Sequence, residues 1–140
     1  MKSIKTTLAA LLVTAAIMHC VSCKKGSITP APKSTQEKLL GKWSLISTID
    51  NDYYGGSSHI TTYNYPSGAY IEFKNDGRAT TYDSGSTTNY DYGVFTDSRI
   101  WMPLPSYIYE LKIFTATDLQ LYRKELTGAD YHEYTLNLKR

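Results

Sequence analysis

The sequence predicts an all-β fold: an antiparallel, up-and-down meander of eight strands closing into a barrel, preceded by a short N-terminal helical turn. Three observations predict it. Apolar and polar residues alternate with a period of two from Trp43 to the end of the chain, the signature of half-buried strands. The alternating runs are separated by short turn signals, so neighbours in sequence pair as hairpins. No segment after Gly41 shows helical periodicity. Consecutive short connections favour a meander over a two-sheet sandwich, which needs longer crossovers, and closure removes exposed edges.

The elements follow in order. Ser34-Thr35-Gln36-Glu37 has the hydroxyl and the carboxylate, three residues apart, of a capping box. Gly41 is placed to end that helical turn. Trp43, Leu45 and Ile49 alternate with Ser44 and Thr48 in the first strand. Ala69 to Lys74 and Arg78 to Asp83 flank Asn75-Asp76-Gly77, a strong hairpin signal. Thr88 to Phe95 places Tyr90, Tyr92 and Val94 on one face. Arg99 to Met102 follows, interrupted by Pro103 and Pro105, which cannot donate to a ladder. Tyr107 to Phe114 puts Tyr109, Leu111 and Ile113 on one side. Leu119 and Leu121, then Tyr134, Leu136 and Leu138, complete the apolar face.

The N-terminus has a different character. Lys2 and Lys5 precede the apolar run Leu8–Met18 of 11 residues, the layout of a secretory signal and too short for a bilayer-spanning helix of about 20. Val21-Ser22-Cys23 resembles the lipobox of bacterial lipoproteins, with Cys20 where that box usually has leucine. The resemblance implies a diacylglycerol thioether on Cys23 and cleavage before it. Cys20 follows bulky His19 and is the poorer candidate. The expected organisation is a signal peptide over 1–22, a lipid-anchored tether over 23–34 and the β domain over 35–140. Several acyl chains anchor stably, and Lys24 and Lys25 favour anionic headgroups. Residues after Cys23 carry no acidic sorting signal, so the periplasmic face of the outer membrane is the expected address.

The 15 Lys and Arg fall to thirteen once Lys2 and Lys5 are removed, matching the 13 Asp and Glu. The remaining chain is formally neutral and lacks the basic face that nucleic acid requires. Both cysteines lie at the signal, so the domain has no disulfide and no thiolate metal site. His59 and His132 are far apart in sequence, and no metal or other cofactor is expected. No Gly-x-Ser-x-Gly elbow, phosphate loop or paired catalytic carboxylate stands out. The expectation is a non-enzymatic, monomeric domain.

Leu40-Gly41-Lys42-Trp43, a Gly-x-Trp after a short helix, resembles the opening of the lipocalin and fatty-acid-binding superfamily. Ile71-Glu72-Phe73-Lys74-Asn75-Asp76-Gly77, the strand Asn89–Val94 and the hairpin Leu111–Leu121 are similar to the small lipocalin-like domains of bacterial lipoproteins. The resemblance covers about 36–140. It implies Trp43 as a plug at one end of the barrel and an arginine stacked on its ring, for which Arg123 and Arg140 are candidates. It also implies a small apolar ligand inside, with Leu45, Ile71, Phe73, Tyr90, Tyr92, Tyr109, Leu111 and Tyr134 as the expected lining. The chain lacks the Thr-Asp-x-Tyr motif of lipocalins and its domain is short, which weighs against a large cavity. An interior cavity of at least about 300 Å³ is the test of a carrier.

All 13 tyrosines fall in the β domain. Tyr53, Tyr54, Tyr63 and Tyr65 beside glycines and a proline, and Trp101 beside prolines, read as loop aromatics. They offer an alternative function, an exposed patch that binds a protein or glycan.

Overall fold

The computed structural model describes residues 32–103 and 106–140. Lys33–Arg140 form one compact unit. The expected signal peptide, Cys23 and most of the expected tether lie outside the described residues. Among the described residues no helix is long and apolar enough to cross a membrane.

Helix α1 is Thr35–Leu39. Its capping box is reciprocal: the Glu37 amide donates to Ser34 Oγ at 3.2 Å, and the Ser34 amide donates to Glu37 Oε2 at 2.8 Å. Ten strands follow: β1 (Gly41–Tyr54), β2 (Ser57–Asn64), β3 (Tyr70–Phe73), β4 (Arg78–Asp83), β5 (Ser86–Asp91), β6 (Gly93–Thr96), β7 (Arg99–Pro103), β8 (Ser106–Phe114), β9 (Asp118–Thr127) and β10 (Asp130–Lys139). They form one antiparallel sheet in the order β5-β4-β3-β1-β10-β9-β8-β7-β6, with β2 paired to β1. Its end strands β5 and β6 follow one another in the chain through Tyr92, and β5 also approaches β7. The sheet is therefore barrel-shaped and nearly closed.

Ten strands replace the expected eight for two reasons. The single expected strand Thr88–Phe95 divides at Tyr92, because β5 pairs with β4 and β6 with β7. And β1 runs on to Tyr54 and returns as β2, so Tyr53, Tyr54 and Tyr63 are strand residues rather than loop aromatics. Gly55 and Gly56 make the turn with φ of +58° and +82°, which L side chains resist and the tight hairpin turn requires. Ser57–Asn64 escaped the period-two reading because every residue in it is exposed, so no face is marked apolar.

Three register shifts interrupt the pairing, one of them between Val94 and Thr96 in β6, and the other two reset the alternation expected for β1 and β8. Register shifts between Leu45 and Ser47, so Thr48 takes the inner face and Ile49 turns outward. It shifts again between Leu111 and Ile113. Ile113 is consequently exposed, while Phe114 packs on the core. An extra residue in one strand inverts every side chain beyond it.

The core gathers at the α1 end. Trp43 and Leu39 are fully buried there with Ile71, Phe73 and Leu119. Trp43 Nε1–H donates to Leu39 O at 2.8 Å. Arg140, one of the two candidates, lies over the Trp43 ring with Cζ 3.9 Å from its centroid. Its Nη2 also donates to the carbonyls of Lys38, Leu39 and Leu40, which end α1.

Candidate functional site

The inner face of the sheet changes chemistry along the barrel axis. Cross-strand rows through β9, β10 and β1 make this explicit. Leu119, Leu138 and Leu45 form the first row, and Leu121, Leu136 and Thr48 the second. The third is Arg123, Tyr134 and Asp50, extended by Thr61 on β2. The fourth is Glu125, His132 and Asp52, extended by His59. The same side of the sheet is thus leucine-lined near α1. Away from α1 it carries three carboxylates, two imidazoles and a guanidinium. We refer to this second end as the mouth.

The mouth is wired internally. His132 Nε2 lies 2.9 Å from Asp50 Oδ1 and 3.8 Å from Asp52 Oδ1. His59 stacks on Tyr54 with ring centroids 4.5 Å apart. Arg123 is 8% exposed and paired with Glu125. Its guanidinium carbon sits 3.7 Å from the Tyr107 ring centroid and 5.2 Å from that of Tyr134. Among the described residues its buried Nε has no hydrogen-bond partner, an arrangement that is costly unless something accepts the bond.

Beneath the mouth lies a cavity of about 100 Å³, lined by Leu45, Tyr65, Ile71, Thr81, Tyr90, Met102, Tyr109, Tyr134 and Leu136. Four of its walls are tyrosines. Burial pushes the Tyr90 phenol up to about 12, although its hydroxyl lies 2.8 Å from Thr81 Oγ1. Burial also raises Tyr134 and Tyr65, and it raises Tyr109 against the opposing pull of the Arg123 charge. All four are neutral donors over the physiological range, able to offer a proton to an acceptor.

Of the expected lining, Leu45, Ile71, Tyr90, Tyr109 and Tyr134 reach the cavity. Phe73 and Tyr92 do not. They pack edge to face at 4.9 Å, and Tyr92 OH donates to Lys74 O at 2.8 Å. Leu111 is partly buried against the core, outside the cavity lining. Tyr65, expected at the surface, lines the cavity instead. The other loop aromatics are divided. Tyr53 stacks on Tyr131 at 4.8 Å on the outer face, Tyr54 and Tyr63 stand exposed on the hairpin, and Trp101 pairs with Ile108 between β7 and β8. Tyr53 and Tyr54 point to opposite faces, as adjacent residues of a strand do, while Tyr63 meets Tyr65 edge to face at 4.9 Å.

The mouth residues Asp50, Asp52, His59, Arg123, Glu125 and His132 were not anticipated as a site. The signal was present on β9 and β10: Arg123 and Glu125 continue the parity of Leu119 and Leu121, and His132 that of Tyr134 and Leu136. The pairing of β1 with both β2 and β10 is what unites residues 73 positions apart. Among the described residues no group of three His, Cys, Asp or Glu converges as metal ligands would. No protein-family model and no curated protein matches this chain.

Proposed function

We propose that the chain is a lipid-anchored, non-enzymatic protein of the cell envelope whose lipocalin-like barrel binds a small molecule at its mouth. One observation carries the binding site: the inner face passes from leucine to a cluster of ionisable groups directly over a tyrosine-lined cavity. Binding sites combine an apolar floor with a few converging polar groups in this way. The cavity, about 100 Å³, falls below the test of about 300 Å³ for a carrier that encloses its ligand. The proposed ligand therefore has a small apolar end facing the tyrosines and a polar end on Arg123, Asp50 and His132. The stacking of Arg140 on Trp43 supports the lipocalin likeness, the lipobox-like Val21-Ser22-Cys23 supports the anchor, and Lys24-Lys25 in place of an acidic sorting signal supports the outer-membrane address.

Native mass spectrometry of the chain purified from its own host tests the site. A co-purified small molecule is expected, lost on Tyr134→Ala and on Asp50→Ala. A bare mass for the unaltered chain, with no shift in its melting temperature across a panel of small amphiphiles, refutes the proposal. Labelling cells with radioactive palmitate tests the anchor: incorporation is expected, and its persistence in Cys23→Ala refutes attachment there.

A further inference from the structure

Strand β2 pairs on one side only. Its eight residues match β1 from Tyr54↔Ser57 to Ser47↔Asn64 without a register shift, and among the described residues it has no other strand neighbour. All eight are exposed. A strand at an edge presents alternate backbone N–H and C=O groups to solvent, and natural edges are blunted by lysine, proline, bulges or brevity. Ser57-Ser58-His59-Ile60-Thr61-Thr62-Tyr63-Asn64 has no Lys, Arg, Asp, Glu or Pro, and it has no bulge. Ile60 at its centre is 67% exposed.

We infer that the β2 edge pairs with β2 of a second copy of this chain, antiparallel about a two-fold axis that sets Ile60 opposite Ile60 of the other copy. Three features of the strand select this occupant. It lacks formal charge, so two copies meet with no like-charge repulsion. Its one strongly exposed aliphatic residue falls on the axis and is covered by its own symmetry mate. And this register preserves parity across the join. Residues on the mouth side (His59, Thr61) meet each other, and residues on the outer side (Ser58, Thr62) meet each other, giving one continuous sheet. Seven residues per copy, Ser57–Tyr63, then pair and form about six to eight main-chain hydrogen bonds, since alternate opposed residues exchange two. The join extends β2-β1-β10-β9 into an open sheet shared by two barrels. It is independent of what the mouth binds.

The test uses the full chain in detergent, followed by sedimentation and by cross-linking of two differently tagged copies. A two-chain species is expected. Ile60→Lys and Ile60→Glu, each placing like charges face to face on the axis, are expected to halve the mass when alone. Mixed together they are expected to restore it, because opposite charges then face each other. Leu126→Lys, an exposed site on β9, is expected to leave the pair intact. A wild type that sediments as a single chain overturns the inference. So does a two-chain species that survives both charged substitutions, and so does a mixture of the charged variants that stays single. Circular dichroism matching the wild type establishes that the charged variants are folded, and the restored mixture requires it.

Discussion

Arg140→Ala removes the side chain that ties the last residue of the chain to both Trp43 and the end of α1. A helix leaves its last four carbonyls without partners of its own. Arg140 Nη2 serves three of them, at 3.1 Å from Lys38 O, 3.2 Å from Leu39 O and in close contact with Leu40 O. Leu39 O keeps its bond from Trp43 Nε1, and the Lys38 and Leu40 contacts are exposed, so water replaces much of what is lost there. The net hydrogen-bond loss is about 1 kcal/mol. A guanidinium stacked on indole contributes about 1–2 kcal/mol more, toward the upper end because the Trp43 ring is fully buried. The expected loss is thus about 2–3 kcal/mol, a large part of the roughly 5–15 kcal/mol typical of a domain. Arg140→Lys keeps the charge but not the planar fork, and is expected to lose about half as much. Urea unfolding followed by Trp43 fluorescence, in a Trp101→Phe background, measures both. A loss below about 0.5 kcal/mol for Arg140→Ala, the level of an ordinary surface change, refutes the assigned role, as does a lysine variant equal to wild type.

Three further predictions concern the interior and the mouth. Tyr90 loses its proton near pH 10 in the unfolded chain but only near 12 when folded. Its contribution is therefore complete below pH 10 and is lost as pH rises toward 12, by up to about 1.4 kcal/mol per pH unit; alkaline denaturant titrations should show Tyr90→Phe with a shallower decline, and an unchanged slope refutes the buried phenol. Glu125→Gln leaves the Arg123 charge buried without its partner and is expected to cost about 1–2 kcal/mol, less than a fully buried pair because Glu125 is 39% exposed. Arg123→Met removes that charge together with its unpartnered Nε and is expected to cost less than Glu125→Gln; the reverse order in urea unfolding counts against the arrangement. A double-mutant cycle on Asp50 and His132, both about one-third exposed, is expected to show coupling of roughly 0.5–1 kcal/mol that shrinks with added salt. No coupling at low salt refutes the pair.

Much of the barrel was legible along the chain. Asp76-Gly77 marks a hairpin wherever it stands between two alternating runs. Trp43, Ile71, Leu121 and Leu138 announce the core because burial on one face leaves a period of two. The strand expected over Thr88–Phe95 was correct in placing Tyr90, Tyr92 and Val94 on the core side, and it missed the change of partner at Tyr92 and the register shift between Val94 and Thr96. The errors cluster where the signal is not periodic. Ile49 and Ile113 were assigned inward because a bulge is a shift in pairing between two strands, and neither strand carries its mark alone. The hairpin of β1 and β2 was taken for loops although Tyr54-Gly55-Gly56-Ser57 is a turn signal, because an edge strand exposed on both faces has no apolar side to reveal it. Phe73 and Tyr92 were assigned to a ligand space, yet whether an inward ring lines a cavity or fills it depends on what packs opposite.

The sequence by itself determined that the domain is all-β, that its helix is short and capped at Ser34, and that Leu45, Leu119, Leu121, Leu136, Leu138, Tyr90, Tyr109 and Tyr134 point inward, since each follows from local spacing and the chemistry of single side chains. Only the tertiary structure decided that the interior is nearly full, that Arg140 rather than Arg123 covers Trp43, and that Asp50, Asp52, His59, Glu125 and His132 share one end of the barrel. Those outcomes depend on which strands become neighbours and in what register, and hydrogen-bonded pairing brings together residues that no local pattern relates.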